Sequence, residues 1–365
     1  MVELNNREVL IWLNNLNISN KNINLIMEQI PDLNQLLSLK EKDIYNLKGI
    51  KNDVLEKIIK NRNKTYIEVL FREIEENNID VITILDKDYP EGLQYIYNRP
   101  EVIYKKGNIL ERDKMAIAIV GSRKSTQYGQ WATEKFVEEL VNMDITIVSG
   151  LALGIDSVAH KAALEAGGRT IGILGNGLDT VYPKRNKDLY EEIPRNGAIL
   201  TEYPLGTPPL AYNFPQRNRI ISGLSLGVIV MEAKEKSGSL ITAYHGLEQG
   251  KEVFALPGNI NSIFSRGTNK LIKDGAKLIM DVEDIIEEIY ELQQKAIEKK
   301  KEEIDYSDLS PLEIEILEII QEGPIHGDII AVKTGMDISA INGILTILEL
   351  KGLIKELAGR TFTLS

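Results

Sequence analysis

Loops that combine glycine with arginine, lysine or small polar residues recur between positions 121 and 270 of this 365-residue chain. The first loop follows a short apolar run and precedes a helical pattern; it holds Gly121, Ser122 and Arg123. Glycine permits a close backbone approach, the start of a helix offers unpaired amides, and arginine can bind a phosphate with two N–H groups. A later loop places small residues at a helix start, namely Ser237, Gly238 and Ser239. Together these loops predict a phosphate-binding crevice.

Two other loops add positive charge and an aromatic ring. Lys184 follows a proline in a turn that also contains Arg185 and Lys187, and such a cluster of like charges is costly unless an anion meets it. The next loop leads into a segment with one ring, two arginines and an amide: Phe214, Arg217, Asn218 and Arg219. Aromatic faces stack nucleobases while cations hold the phosphates, which is how proteins bind single strands. The alternative is that Phe214 belongs to the apolar core.

The same loops contain no recognisable catalytic pair. No nucleophile stands near a base at a usable spacing, and Asp156, Glu202 and Glu232 have no evident partner acid. Asp156 is placed either to cap the following helix or to contact a ligand, and His160 is expected in the interior. With no cysteine and only three widely separated histidines, the sequence predicts no metal site and no cofactor. The crevice is therefore expected to bind rather than to catalyse.

Six short apolar runs position these loops. They cover residues 116–120, 145–148, 170–174, 198–201, 227–231 and 252–256. The runs are mostly β-branched, lack strict alternation and are separated by helical patterns, so they predict strands buried on both faces of a parallel sheet. In an α/β sheet of this kind, ligands bind at the carboxyl ends of the strands, which is where the loops stand.

Changes in composition divide the chain into four predicted domains or linkers. We expect a helical domain at 1–65, the sheet domain at 66–285, a charged helix and linker at 286–306, and a winged helix at 307–365 that opens with a capping box at Ser310. The charged helix is expected to run from about 284 to 303. The segment 47–54 resembles a helix-hairpin-helix, but Lys51 stands where glycine is usual, so both DNA contact and simple packing remain open. Residues 304–365 hold ten acidic and four basic residues, which favours a protein-binding or regulatory wing over a DNA reader.

The overall charge restricts how nucleic acid could bind. The formal net charge is −11, so the summed field repels phosphate and a local basic patch must overcome it. No apolar stretch approaches the length of a membrane span, and the amino end is too polar for a signal peptide. The sequence therefore predicts a cytoplasmic protein without membrane insertion.

The loop motifs, taken in order, resemble the DNA-processing protein A family, also called DprA or Smf. The matching segments are Gly-Ser-Arg from 121, Ser-Gly-Leu-Ala-x-Gly-Ile-Asp from 149, Leu-Gly-x-Gly-Leu-Asp from 174, Tyr-Pro at 182, Phe-Pro-x-Arg-Asn-Arg from 214, Ser-Gly-Ser-Leu-x-Thr-Ala from 237 and Pro-Gly at 257. The resemblance covers about residues 80–281. It implies an α/β fold with a Rossmann-like, mostly parallel sheet, an N-terminal SAM/helix-hairpin-helix-like domain and a C-terminal winged helix. Leu153 departs from the pattern, because the family usually has arginine there.

The resemblance also implies a function. Members of this family bind and protect single-stranded DNA, form homodimers through the Rossmann-like domain, and load the RecA recombinase during natural transformation. Carried onto matching positions, Arg123 is the main phosphate ligand, Lys184, Arg217 and Arg219 support it, and Phe214 places a base. Dimerisation is expected after Gly258.

Two other functions remain open. One is a Rossmann-like enzyme that binds nucleotides or hydrolyses nucleoside monophosphates, although the Pro-Gly-Gly-x-Gly-Thr-x-x-Glu stretch of such enzymes is absent. The other is a protein-interaction scaffold, which the acidic charge suggests.

Overall fold

The structure, a computed structural model, describes residues 4–302, 306 and 308–364. The chain divides into two compact units, Met1–Ile289 and Tyr290–Ser365. The first unit contains the predicted crevice, and the second contains the predicted winged helix.

Five helices open the first unit. They are α1 (Asn6–Asn15), α2 (Asn20–Gln29), α3 (Glu41–Tyr45), α4 (Asn52–Lys60) and α5 (Lys64–Glu76). A capping box between Asn5 and Glu8 starts α1, and the Ser19 side chain caps α2. The buried faces of these helices enclose Trp12, as the helical spacing of apolar residues predicts.

A nine-stranded sheet forms the rest of this unit. Its strands are β1 (Asp80–Thr83), β2 (Val102–Gly107), β3 (Ala116–Val120), β4 (Thr146–Ser149), β5 (Thr170–Ile173), β6 (Gly197–Thr201), β7 (Gly227–Val230), β8 (Glu252–Ala255) and β9 (Lys277–Leu278), in the order β1-β2-β6-β5-β4-β3-β7-β8-β9. The seven strands β3 to β9 are parallel to one another. At one edge of the sheet, β2 pairs antiparallel with β6, and β1 pairs antiparallel with β2. All six predicted strands are confirmed, and the core strands are buried on both faces.

The connections place helices on both faces of the sheet. They are α6 (Gln127–Asn142), α7 (Ile155–Glu165), α8 (Lys187–Glu192), α9 (Asn213–Gly223), α10 (Ser239–Glu248), α11 (Arg266–Lys273) and α12 (Glu283–Ile286). The chain leaves β3 towards β4 and returns on the other side of β3 as β7. Right-handed crossovers therefore put α6 and α7 on one face and α10 on the other. The carboxyl end of β3 is the switch point of the sheet, where ligands of α/β proteins bind.

The N-terminal helices and the sheet share one apolar core. Trp12 and Ile23 belong to the same cluster as Tyr104 and Ile199 of the sheet. The helices before the sheet and the sheet itself belong to one compact unit. A domain boundary at residue 65 therefore stays a prediction.

The second unit is a winged helix preceded by a helix. It contains α13 (Tyr290–Glu302), α14 (Pro311–Gln321), α15 (Gly327–Thr334) and α16 (Ile338–Leu350), with β10 (Ile325–His326), β11 (Ile354–Leu357) and β12 (Thr361–Leu364) in the order β10-β12-β11. The predicted capping box at the start of α14 is confirmed, with Ser310 and Glu313 as its partners. This unit encloses its own apolar core, which includes Ile316, Ile341 and Phe362.

The prediction of one charged helix over 284–303 is wrong. The chain forms α12 and α13 with a break at 287–289, where it passes from one compact unit to the other. Residue 303 of that prediction lies outside the described residues, as do residues 304, 305, 307 and 365 of the predicted linker and winged-helix regions.

Length and composition allow no single described helix to cross a membrane. The pair α15 and α16 passes such a test only when the two are counted together across a bend of 116°.

Candidate nucleic-acid interface

An open cleft of about 420 Å³ lies at the carboxyl end of β3. Its walls come from the loop after β3, the loop after β4, the first turns of α9, and the loop between β7 and α10. The sheet topology therefore gathers at one edge most of the loops that the sequence singled out.

The loop after β3 is fixed by an acid from the neighbouring strand end. Glu232 accepts a hydrogen bond from the backbone N–H of Thr126 at 2.9 Å and another from its hydroxyl group. The Thr126 hydroxyl in turn caps α6 by accepting from the N–H of Gly129. Glu232 thus stabilises the end of the loop at Thr126. Arg123 of the same loop is exposed and lines the cleft.

Close backbone contact holds the loops after β3 and β4 together. Gly154 has a φ of +80°, and a Cβ at this position would lie 2.1 Å from the carbonyl oxygen of Ser122. The N–H of Ile155 donates to that same carbonyl at 3.1 Å. Only glycine permits both the backbone conformation and the approach.

Phe214 lies in the first turn of α9 and lines the cleft. A Cβ on Gly175 would come within 2.8 Å of its ring, so the glycine makes room for it. The Tyr182 ring centroid is 5.5 Å away, and the guanidinium carbon of Arg123 is 5.7 Å from the Phe214 ring centroid. Phe214 is half-buried and lies in the cleft wall beside the exposed Arg123.

The residues between β7 and α10 complete the lining of the cleft, and Lys184 stands outside that lining. Lys184 is exposed two residues after Tyr182, whose ring contacts Phe214. Asn218 donates to the Gly238 carbonyl at 3.3 Å and so ties α9 to the loop before α10. That loop lines the cleft with the predicted small residues Ser237, Gly238 and Ser239.

Arg217, predicted to support phosphate binding, uses most of its hydrogen-bond donors inside the fold. Its side chain is buried, with 4% of the residue exposed, and Nη1 donates to the Gly150 carbonyl at 2.8 Å and to the Ile173 carbonyl. Its Nε donates to the Asn218 side chain at 3.2 Å. Arg217 therefore holds the ends of β4 and β5 together, and a phosphate in the cleft could reach only the Nη2 group.

The phosphate-binding role predicted for Arg219 is not supported. Both terminal nitrogens bind the carboxylate of Glu202, at 2.6 and 2.8 Å. The remaining N–H groups donate to the carbonyls of Asn98 and Gln216. Because all five donors are used inside the fold and only 4% of the residue is exposed, Arg219 is a structural residue.

Of the two roles left open for Asp156, capping of the following helix is wrong. Gly154 occupies the N-cap of α7, and the Asp156 carboxylate instead accepts from the backbone N–H of Ala152 at 3.4 Å. Burial raises the pKa of Asp156, and the charge of Arg217 opposes this shift. Burial also lowers the pKa of Arg217 to about 10, so the guanidinium stays charged at neutral pH.

His160 is interior, as predicted. Its Nδ1 lies 2.6 Å from the hydroxyl of Thr170, which donates to the Ile147 carbonyl, so Nδ1 carries the proton. Burial, together with the charge of Arg217, lowers the pKa of His160 to about 3, and the ring is neutral near pH 7. Within the described residues, Nε2 has no hydrogen-bond partner.

Three lysines that the sequence reasoning did not select also line the cleft: Lys124, Lys234 and Lys236. All three are exposed, and none of them forms an ion pair with another described residue. Each stands within three residues of a selected loop residue, so a search for cations near the small residues would have found them. Among the described residues, no group of three potential metal ligands occurs.

Comparisons with known proteins agree on one family. A model described as DNA recombination-mediator protein A matches residues 80–290, and a DprA winged-helix-domain model matches residues 301–360. The DNA processing protein DprA of Bacillus subtilis is 46% identical over 217 residues, which are 59% of this chain and 73% of that protein.

Two solved structures are similar as well. DprA from Streptococcus pneumoniae superposes with a TM-score of 0.70 at 39% identity, covering 79% of this chain and 99% of that one. DprA from Helicobacter pylori, described for its single-stranded DNA binding mode, has a TM-score of 0.52 at 33% identity and covers 57% of this chain and 94% of that one.

Proposed function

The chain belongs to the DprA/Smf family of DNA-processing proteins, and on that premise we propose that it binds single-stranded DNA in the cleft at the end of β3. The observation that carries the proposal is a half-buried ring in a cleft that exposed cations line. Phe214 offers a face for a base, and Arg123 lies beside it. The H. pylori relative, described for its single-stranded DNA binding mode, supports the same conclusion.

The cations are spaced around the ring so that a flexible strand can follow them. Arg123 and Lys124 approach from the loop after β3, Lys234 and Lys236 from the loop after β7, and Lys184 from the turn beside Tyr182. A single strand can bend to meet three separate loops, whereas a duplex is stiff and presents phosphates at fixed spacing. The local positive charge also overcomes the net charge of −11 at this one edge.

We assign the five exposed cations to phosphate contacts and Phe214 to base stacking. The other selected residues have supporting roles: Gly121 and Ser122 shape the first loop, Asn218 ties α9 to the loop before α10, and the backbone of residues 237–239 offers amides. Arg217 supports the site through its charge. Leu153, in place of the family arginine, contributes no phosphate contact.

We propose no catalytic step in this cleft. Asp156 and Glu232, which line or adjoin it, are held by backbone N–H groups and by Thr126. A general base needs a free carboxylate or imidazole within reach of a substrate. Incubation of the chain with nucleoside monophosphates should therefore release no free base; such release would favour the nucleotide-hydrolysing alternative.

The family supports a wider role, which we include in the proposal. In this role the chain protects incoming single strands in the cytoplasm and loads the RecA recombinase onto them during natural transformation. It acts as a homodimer formed through the Rossmann-like domain, with the exposed Ile260 and Ile263 after Gly258 as candidate contacts. Sedimentation of the parent and of Ile263→Asp tests the dimer, and RecA filament formation on coated single strands tests the loading.

The binding proposal has a direct test. Full-length chain is titrated into a fluorescent 20-nucleotide thymine strand and into a duplex of equal length, and anisotropy is recorded. We expect clearly tighter binding to the single strand, and about five- to fiftyfold weaker binding by Phe214→Leu, because leucine keeps the apolar volume and removes the stacking face. Tyr244→Leu, an exposed ring on α10 outside the cleft, is the matched control. Equal affinity for strand and duplex would contradict the proposal.

A further inference from the structure

A network of buried hydrogen bonds joins the N-terminal helical domain to α9, the helix that contains Phe214. Asn20, the first residue of α2, donates its side-chain N–H to Oε2 of Glu202 at 3.0 Å. Glu202 follows β6 and forms the two-pronged ion pair with Arg219 of α9. Asn20 and Glu202 are each 8% exposed, so both side chains are largely shielded from water.

Further contacts hold the same two segments. Asn14, near the end of α1, donates to the Glu202 backbone carbonyl at 3.3 Å and accepts from the Tyr104 hydroxyl at 2.9 Å. The Asn20 side-chain oxygen accepts from the Glu101 N–H at 3.4 Å. The ends of α1 and α2 therefore bind the sheet at the residue that fixes Arg219.

The geometry of α9 connects this anchor to the cleft. Arg219 lies about 8 Å along the helix axis from Phe214, and it points away from Arg217, which is about 200° distant around the helix. Arg217 fixes one side of α9 to the strand ends, and Arg219 fixes the other side through Glu202. The position of the Phe214 ring therefore depends on both anchors, and the N-terminal domain supplies part of the second one.

We infer that Asn20 is a positioning residue for single-strand binding, acting through Glu202 and Arg219 on the placement of Phe214. The inference rests on the proposed function and adds that the N-terminal helical domain tunes the cleft without touching DNA. Removing the Asn20 side chain leaves the Glu202 carboxylate with fewer donors, so Arg219 and the helix it belongs to are held less firmly.

The test uses the full-length chain and the fluorescent thymine strand. We expect Asn20→Ala to weaken binding about three- to tenfold while the dependence on salt stays that of the parent, because every cleft cation is retained. Asn22→Ala, the same change two residues further along α2, is the matched control and should bind like the parent. A variant could bind less because part of it is unfolded or because Phe214 is misplaced. Titration to saturation separates these causes, since unfolded chain lowers the stoichiometry whereas a misplaced ring raises Kd.

A double-mutant cycle then asks whether Asn20 acts through the ring. If it does, Asn20→Ala has little further effect once Phe214→Leu is present. Additive losses from Asn20→Ala and Phe214→Leu would overturn the inference.

The two proposals fail in distinguishable ways. If the parent chain does not bind the thymine strand, the proposed function is wrong. If the parent binds and Asn20→Ala and Asn22→Ala both match it, only the positioning role is wrong.

Discussion

Replacement of Arg123 by alanine should weaken single-strand binding and reduce its dependence on salt by a defined amount. Arg123 is exposed on the loop after β3, lies 5.7 Å from the Phe214 ring, and has a backbone conformation fixed by Glu232 through Thr126. The substitution removes one cation and leaves the loop anchors in place. Its effect therefore measures a phosphate contact and not a rearranged cleft.

The magnitude follows from the cations around the cleft. Four exposed cations line it: Arg123, Lys124, Lys234 and Lys236. We assign the fifth phosphate contact to Lys184, which is exposed two residues after Tyr182. With a slope of about −0.7 per phosphate for single strands, five contacts give a slope of about −3.5 in log affinity against log salt. Between about 50 and 200 mM salt the affinity of the parent should fall about a hundredfold, and that of Arg123→Ala about fiftyfold, with a slope near −2.8. At fixed low salt the variant should bind about tenfold more weakly, the cost of one charged hydrogen-bonded contact.

The assay is anisotropy of the fluorescent thymine strand at several salt concentrations. Arg72→Ala, which removes an exposed arginine of α5 outside the cleft, is the matched control and should reproduce the slope of the parent. Thymine and mixed-sequence strands should lose affinity alike, because phosphate contacts carry no base information. If Arg123→Ala keeps both the affinity and the slope of the parent, the cleft is not where the strand binds.

Three further predictions concern the scaffold of the site and the winged helix. Arg219→Met should lower the free energy of unfolding by about 3–5 kcal/mol in urea titration, because Glu202 would remain buried without its ion-pair partner. Gly154→Ala should destabilise the chain by more than about 1 kcal/mol and weaken strand binding, because alanine tolerates neither the φ of +80° nor the neighbouring carbonyl. Hydrogen bonds from Lys351 and Ser310 lower the pKa of Glu313 from its ordinary 4.5 to about 2, so its stabilising effect is complete above pH 4.5 and is lost as the pH falls towards 2. The difference in melting temperature between the parent and Glu313→Gln should shrink over that interval.

Each of these three has a contrary outcome. An Arg219→Met chain as stable as Arg72→Met would mean that the buried ion pair contributes little. Unchanged strand binding by Gly154→Ala would show that the loop after β3 tolerates displacement. A melting difference between the parent and Glu313→Gln that persists to pH 2 would place the stabilising effect outside the ionised carboxylate.

The sheet could be predicted from sequence because its strands are buried on both faces. The runs at 116–120 and 227–231 are continuously apolar, and only parallel strands covered on two sides have that pattern. The break between α12 and α13 could not be predicted, because it lies at the division between two compact units, which depends on tertiary packing. Local helical patterns carry no such information.

The site was predicted in its loops and less well in its arginines. Arg123 and Phe214 lie together at the end of β3, as the loop pattern indicated. Arg217 and Arg219 were taken together, although two residues along a helix separate side chains by about 200°. Had that angle been applied, only one of the two could have faced the cleft, and the acid at Glu202 would have been a natural partner for the other.

The burial of Arg217 and Arg219 affects how a loss-of-activity screen of this chain should be interpreted. Both positions would emerge from such a screen as strong hits, and both carry the positive charge expected of a phosphate ligand. Loss of Arg219 would destabilise the fold by removing the partner of Glu202. Loss of Arg217 would remove the hydrogen bonds that hold the ends of β4 and β5 together. A thermal-shift measurement run beside the screen separates these from true contact residues, and the solvent-facing lysines should then rank above the two arginines.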